Sequence, residues 1–543
     1  MSDSSQQPNS LGSKALKADN VASSKAKPVP KKRGMLVSTG VVSFFTLISR
    51  VLGLIRDIVI AAVFGASGVT DAFFVAFKIP NFFRRLFAEG AFSQAFVPVL
   101  SEYKTQRSAP EIKQLVNRVA GSLSGILSVI TVIAVIASPL LIWLFAPGFE
   151  AGETRQILAT QMLQLTFPYL LLISLVAFSG AVLNSYDKFA VPAFTPILLN
   201  VSLIAAALFL APYFPEQVSI KALAWGVLIA GVLQLAFQLP FLYRLGLLPK
   251  PTLKPKSHEG VKRIYLLIFP ALIGVGVTQV NLLLDSILAS FLATGSISWL
   301  YYSERLIQLP IGIFAVAIGT VILPKLSSQV AEQSADAFNQ TLNWAVRTLL
   351  LIALPAGAAL TFLAGPLLTT LFQYQAFTPE DVRMAQLSLW AYAPGVVGFM
   401  LIKVLAPGFY ARQDTKTPVK IAVIAMVANM LLNLMLVWHL DHAGLALATT
   451  LSGFINAGLL FWTLVKSNVF APTRDLGVWL LKMLIAVSAM LAVLWLICPS
   501  LPAWLSAGVW QRAGWLIGVC ATGALSYFAV LILLGLRPRH LRA

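Results

Sequence analysis

Residues 119–145 read VAGSLSGILSVITVIAVIASPLLIWLF, twenty-seven positions without one charged side chain. About 20 apolar residues of helix cross a bilayer core about 30 Å thick, and inside it every backbone N–H and C=O must be bonded within the protein. A membrane-barrel strand alternates its two faces over about ten residues, so an unbroken apolar run of this length excludes a barrel. Working outward, such runs recur at roughly 36–63, 70–101, 117–145, 157–183, 190–212, 222–246, 264–291, 296–324, 341–371, 384–410, 418–438, 443–466, 477–498 and 508–536. The expected fold is an all-α polytopic membrane protein with about 14 transmembrane helices.

Composition agrees. Apolar residues are 58% of the 543, and mean hydropathy is +0.81, against about 45–50% apolar in soluble domains. These residues leave almost nothing for a water-soluble domain. The 40 Lys+Arg against 21 Asp+Glu give a formal charge of +19. In a soluble chain that balance suggests nucleic acid, but here the cations fall mostly between the apolar runs, and no nucleic acid partner is expected. Cys498 and Cys520 both lie in apolar stretches, so no disulfide framework or CxxC metal site is implied, and two packed thiols are expected.

Residues 1–34, rich in Ser, Lys, Ala, Asn, Gln and Pro, read as a disordered basic cytoplasmic tail. The apolar run that follows is too long for a signal peptide. Alternate connections, counted from this tail, hold Lys31, Lys32 and Arg33; Lys104, Arg107, Lys113 and Arg118; Lys250, Lys254, Lys256, Lys262 and Arg263; Arg412, Lys416 and Lys420; and Arg537, Arg539 and Arg542. The other set holds only Arg155, Lys221, Arg383 and Arg512. Cytoplasmic loops carry the excess of Lys and Arg, so both termini are expected in the cytoplasm, which requires an even number of spans.

The chain also repeats itself. Ala91-Phe-Ser-Gln-Ala-Phe-Val-Pro98-Val-Leu-Ser101 aligns with Ala317-Ile-Gly-Thr-Val-Ile-Leu-Pro324-Lys-Leu-Ser327 at an offset of 226. Leu144-Phe145 recurs as Leu371-Phe372 and Asp187 as Asp414, both at 227, while Leu223-Ala-x-Gly aligns with Leu445-Ala-x-Ala at 222. A repeat of six spans makes two parallel halves with a site between them, as in many transporters. The expected division is the tail 1–34, an N-lobe 35–246 (spans 1–6), a basic cytoplasmic loop 247–263, a C-lobe 264–466 (spans 7–12) and an appendix 467–543 carrying spans 13 and 14.

Within or at the edge of the spans lie Arg50, Arg56, Asp57, Asp71, Lys78, Arg84, Arg85, Glu89, Asp285, Glu304, Arg305 and Lys403, concentrated in the first two helices of each repeat. Each costs about 2.5–3.5 kcal/mol at a helix centre and is expected to face protein or water. In a continuous helix Asp71, Lys78, Arg85 and Glu89 fall within about 40° of one line, and Arg50 and Asp57 share a face. Any single pair, such as Arg50 with Asp57 or Lys78 with Asp71, reads equally well as a helix-holding ion pair. The group does not: Arg50, Arg56, Lys78, Arg84 and Arg85 face Asp57, Asp71 and Glu89, a surplus of two positive charges. Unpaired buried cations call for an anion, and the planar fork of Arg suits phosphate oxygens, which points to a diphosphate cargo.

Asp285, Asn429, Asn433 and Thr449 together offer oxygen ligands to a hard cation such as Na⁺, or serve as interhelical hydrogen bonds; both readings stand. His439 and His442, with no third ligand near in sequence, read as solvated in a short external loop. There is no GxxxxGK[ST], HExxH or GxSxG in a suitable context. The expected protein is not an enzyme and has no cofactor, its energy coming from an ion gradient such as Na⁺, the membrane potential or the cargo.

Ser49-Arg50-Val-Leu-Gly53-Leu-Ile-Arg56-Asp57, followed by Thr70-Asp71-Ala-Phe-Phe-Val-Ala-Phe-Lys78-Ile-Pro80-Asn81-Phe-Phe-Arg84-Arg85-Leu-Phe-Ala-Glu89-Gly90-Ala-Phe-Ser-Gln94-Ala-Phe-Val-Pro98, resembles the signature of the MurJ (MviN) family, bacterial lipid II flippases of the MOP exporter superfamily. Tyr301-Tyr302-Ser303-Glu304-Arg305-Leu306 is similar to the family's motif in span 8, where Asp often stands at the Glu304 position. The resemblance implies two six-helix lobes around a cationic cavity, with helices 13 and 14 forming a groove for a polyprenyl tail. It implies cavity arginines at Arg50, Arg56, Arg84, Arg85 and Arg305, with Asp57, Asp71, Lys78, Glu89 and Glu304 as partners or gate residues. It also implies a sodium site at Asp285, Asn429, Asn433 and Thr449, with Asn433 standing where the family carries an acidic ligand.

The function so implied is transfer of lipid II, the undecaprenyl-pyrophosphate-linked muropeptide, from the cytoplasmic to the periplasmic leaflet of the bacterial inner membrane by alternating access, for peptidoglycan synthesis. Membrane lipids and cell-wall synthesis enzymes are the other expected partners. The nearest rival is a flippase for another polyprenyl-diphosphate-linked oligosaccharide. A drug exporter favours an acidic or aromatic cavity, a membrane-embedded enzyme needs paired carboxylates or a nucleophile with its base, and a scaffold needs no charged cavity.

Overall fold

A computed structural model describes residues 32–86, 92–252, 258–473 and 475–536, with side chains except at 32–39, 93 and 269–282. Most of the expected tail, Glu89, Lys254, Lys256, Arg537, Arg539 and Arg542 lie outside the described residues. The regular structure described is helical throughout: α1 Lys32–Phe64, α2 Gly68–Phe83, α3 Phe92–Gln106, α4 Ala109–Ile136, α5 Ser138–Phe145, α6 Thr154–Thr166, α7 Tyr169–Ser185, α8 Ala190–Ala205, α9 Lys221–Arg244, α10 Glu259–Ser290, α11 Ser296–Pro310, α12 Val316–Ala331, α13 Ala335–Phe362, α14 Ala364–Phe372, α15 Pro379–Tyr392, α16 Gly395–Tyr410, α17 Lys416–Lys466, α18 Leu476–Ile497, α19 Leu501–Ser506 and α20 Val509–Leu533.

Among the described residues nine helices are long and apolar enough to cross a membrane, ten when α15 and α16, bent by 43°, count as one. The α17 rod reverses at Asp441, whose φ of 47° and ψ of −133° break the helix at one residue, so it supplies two crossings. Helix α1 carries Arg50, Arg56 and Asp57 within its span, residues 87–91 between α2 and α3 lie outside the described residues, and α10 is described only in part. Fourteen crossings are consistent with this arrangement. Ile136, Phe209, Trp438, Trp495 and Leu533 stand exposed on the outer surface, an apolar belt that lipid would cover.

The helix breaks recur in step with the sequence repeat. Helix α4 ends at Ala137 (φ −83°, ψ 11°) before α5, and α13 ends at Leu363 (φ −90°, ψ 15°) before α14, an offset of 226. The break before Pro168 has its counterpart before Pro394 at the same offset. A π-helical turn at 84–86 is matched by one at Ile311–Ala315, 227 residues on. Gly246 (φ 70°) ends α9 as Asn468 (φ 54°) ends α17, at 222. The turn bonds Lys188 N–H to Leu183 O and Asp414 N–H to Phe409 O correct one detail: Asp414 lies opposite Lys188, and Gln413 opposite Asp187.

Local chemistry sets the starts. In the box that begins α4, Glu111 accepts from the Ser108 N–H at 2.9 Å and its hydroxyl at 2.7 Å, which holds the Glu111 carboxyl below its ordinary value. Thr378 and Asp381 form the same box before α15. The connection after α9 is strapped to α4, Lys250 donating to Asn117 Oδ1 at 2.8 Å, and Arg263 of α10 pairs with Glu102 of α3 at 2.7 Å.

Helices α18–α20 dock on α13 and α14. Tyr527 donates to Leu351 O at 2.9 Å, and Arg347 pairs with Asp475 at 2.5 Å. Arg512, expected in a loop, is instead buried and donates to Trp504 O (3.0 Å), Leu505 O (2.8 Å), Thr369 O (3.4 Å) and Gln373 O (3.0 Å). These carbonyls end α19 and α14, where the helix dipoles favour a cation. Cys520 is exposed and Cys498 half-buried, both free, which corrects the expectation of two packed thiols. Arg512→Ala is expected to destabilise the protein by roughly 2–4 kcal/mol by orphaning these carbonyls, read by thermal unfolding in detergent; an unchanged midpoint would deny the clasp.

Candidate functional site

Asp57 of α1 is fully buried, and three donors converge on it from both repeats. Arg56 donates Nε at 2.9 Å and Nη2 at 2.7 Å to Oδ1, Tyr301 donates its hydroxyl to Oδ1 at 2.9 Å, and Arg305 donates Nε to Oδ2 at 2.5 Å. Both guanidiniums also donate to the Tyr301 hydroxyl oxygen at 3.1 Å. Asn200 of α8 accepts from Arg56 Nη1 at 3.1 Å and donates to Ser49 O at 2.9 Å, fixing the α1 side. The pairing differs from the sequence expectation, since Asp57 serves Arg56 and Arg305, not Arg50. Tyr301 and Asn200 were not singled out by sequence; the signal for Asn200 was an amide in an apolar span.

Helices α1 and α11 run antiparallel, so a second contact follows. Six residues before Arg56 and about 9 Å along the axis, Arg50 lies against the backbone of Gly312, in the π turn that continues α11. Arg56 and Arg305 share the single carboxylate of Asp57, one positive charge over, and Arg50 adds a second that Asp57 does not meet.

A second group forms around Lys78. Asp285, Glu304 and Arg85 are its charged neighbours, and Gln308 donates to Glu304 at 2.7 Å. Asp71 is not the partner of Lys78. It accepts from Gly295 N–H at 2.7 Å, Ser298 N–H at 2.9 Å and the Ser298 hydroxyl at 2.6 Å, so a carboxylate of the first repeat caps a helix of the second. Ala376 N–H to Ala62 O (3.0 Å) and Gly148 N–H to Ser290 Oγ (2.9 Å) join the repeats at this same end. Arg84 donates to Asn81 at 3.1 Å in the α2 π turn; Glu89 lies outside the described residues.

The four oxygen-bearing residues suggested for a cation do meet. Asn433 donates Nδ2 to Asp285 at 2.8 Å and to Asn429 Oδ1 at 2.9 Å, and Asn429 reaches Thr449 at 3.4 Å. Asn429 and Asn433 are fully buried, and among the described residues Asn433 Oδ1 has no hydrogen-bond partner. One carboxylate, neutral oxygens and a spare buried acceptor fit a hard monovalent cation. Among the described residues no three His, Cys, Asp or Glu gather for a transition metal. His442 is not in a solvated loop: it is buried, with Nε2 at 2.9 Å from Met384 O and its ring against Trp299, because the chain reverses at Asp441 alone.

A polytopic helical protein built from a repeat, with charged side chains of both halves meeting inside it, belongs to the class of membrane transporters. Residues 60–509 match the family described as lipid II flippase MurJ. A probable lipid II flippase MurJ of Vibrio cholerae is 47% identical over 95% of this chain and 99% of its own length, and one of Haemophilus influenzae is 46% identical over 91% and 99%. A solved lipid II flippase MurJ in an inward closed conformation superposes with a TM-score of 0.77 at 29% identity, over 91% of this chain and 98% of that one. An inward-facing MATE multidrug transporter of the MOP superfamily shares the fold at a TM-score of 0.64 and 15% identity, over 79% and 98%. The chain belongs to the lipid II flippase MurJ family.

Breaking the central pair tests its energetics. Asp57→Ala is expected to destabilise the protein by about 3–5 kcal/mol, because two guanidiniums lose their buried counter-charge; a loss under about 1 kcal/mol in denaturant titration would show them solvated.

Proposed function

We propose that this chain carries lipid II from the cytoplasmic to the periplasmic leaflet of the inner membrane, by alternating access of an N-lobe (35–246) and a C-lobe (264–466), with both termini cytoplasmic. The observation that carries it is the Asp57 cluster, where Arg56 and Arg305 outnumber the acid, with Arg50, unpaired among the described residues, beside Gly312 on the same two helices. A diphosphate supplies the missing negative charge, and guanidinium forks bind its oxygens with geometry as well as charge. Arg84 and Arg85, in the π turn after α2, are assigned to the same cargo-binding set.

Alternating access follows from which bonds the cargo competes for. Arg56 and Arg305 reach Asp57 from opposite repeats, and Asp71 ties the first repeat to the start of α11. A diphosphate that draws Arg305 from Asp57 weakens one inter-repeat bond and substitutes another. Only such a difference in affinity between two states shifts their populations. The polyprenyl tail stays in lipid along the 467–543 appendix. Asp285, Asn429, Asn433 and Thr449 would hold Na⁺, whose binding would tie the conformational equilibrium to an ion gradient; the membrane potential is the other energy source. Recruitment by cell-wall synthesis enzymes belongs to the same reading. No chemical bond is made or broken in this cycle.

Two experiments test it. Depleting the protein in its own bacterium is expected to raise total lipid II while lowering the fraction reached by a reagent confined to the periplasm. Unchanged access, in a strain without a redundant flippase, would sink the assignment. Arg50→Ala and Arg305→Ala are each expected to insert normally yet fail to support growth as the sole copy.

A further inference from the structure

Arg50 occupies an unusual position. A Cβ built on Gly312 would overlap Arg50 Nη1 and lie 2.6 Å from Cζ and 3.0 Å from Nη2, so the guanidinium occupies the space that any other residue would fill. Glycine here serves close approach, the use a missing Cβ permits. Gly312 lies in the π turn Ile311–Ala315, a local widening of a helix that is frequent at functional sites. Among the described residues Arg50 makes no hydrogen bond or ion pair, and it is exposed. Its charge is therefore unspent, whereas those of Arg56 and Arg305 are shared with Asp57.

We infer that Gly312 is a positioning residue for cargo binding: its bare backbone seats Arg50 flat against span 8, holding an uncommitted guanidinium toward a diphosphate about one and a half helical turns from the Asp57 cluster. This rests on the diphosphate-lipid reading above and adds to it the residue that fixes where one phosphate contact falls. A side chain at 312 pushes the guanidinium off the helix face. Lysine at position 50 has a compact head on a flexible stem, which passes a methyl group where the planar fork does not.

The test is a double-mutant cycle on the full-length protein in nanodiscs, with undecaprenyl diphosphate as the probe and affinity read by native mass spectrometry. Gly312→Ala is expected to weaken binding roughly tenfold or more, the loss of one charge-assisted hydrogen bond. In an Arg50→Ala background the same change is expected to add nothing, and Arg50→Lys combined with Gly312→Ala is expected to recover most of the loss. Equal weakening by Gly312→Ala with and without Arg50 would place its effect in the π turn and overturn the inference. Undiminished binding by Gly312→Ala while Arg50→Ala binds weakly would overturn it too, leaving the diphosphate reading intact. Undiminished binding by both Arg50→Ala and Arg305→Ala would overturn that reading as well. Should Gly312→Ala fail to accumulate in membranes, the Arg50→Ala/Gly312→Ala pair is expected to accumulate, because the overlap is gone; failure of the pair would also count against the inference.

Discussion

A carboxylate removed from water must be compensated, and the compensation of Asp57 organises this molecule. Its two oxygens are shared by Arg56 from its own helix, Arg305 from the other repeat and the Tyr301 hydroxyl. The arrangement is over-supplied with positive charge, which costs free energy in a low dielectric. A protein tolerates such an excess where an anion is to be bound, which is the basis of the diphosphate reading proposed above. The Arg305 bond also joins the repeats, so charge compensation and contact between the halves share one carboxylate.

The other cross-repeat bonds are of a different kind. Asp71 addresses the N–H groups of Gly295 and Ser298, a fixed dipole with no counter-ion to be drawn away by cargo. The backbone bond from Ala376 to Ala62 is likewise indifferent to phosphate. One end of the molecule is thus joined by contacts to backbone N–H groups, and the middle by an ion pair. The paired π turns at 84–86 and Ile311–Ala315 continue α2 and α11, which bear Lys78 and Arg305, and a widened turn lets a helix bend without losing every backbone bond.

Much of this was legible in the sequence because its physics is one-dimensional. Apolar run length gives the spans, and internal similarity at 222–227 gives a register that the helix breaks repeat. The cost of intramembrane charge singles out Arg50, Arg56, Asp57 and Arg305. Pairing was not legible, since face-sharing suggested Arg50 for Asp57 and Lys78 for Asp71, whereas Asp57 pairs with its neighbour Arg56 and with Arg305, and Asp71 with Gly295 and Ser298, the last three more than 200 positions away. Arg512 passed as a loop charge because it stands at the start of an apolar run; only the meeting of two helix ends gives it a buried seat. His442 passed as solvated because a reversal at one residue, Asp441, has no sequence signal comparable to a loop.

The appendix is attached asymmetrically. The hydrogen bonds of Arg512, Tyr527 and Asp475 to the preceding spans all end on α13 and α14, within the second repeat. In a chain otherwise built from equivalent halves, this loads one half with extra mass and extra lipid-facing surface. The two repeats are therefore alike in their helix breaks and unequal in what they carry, the second alone presenting its α13 and α14 to further helices and not to lipid.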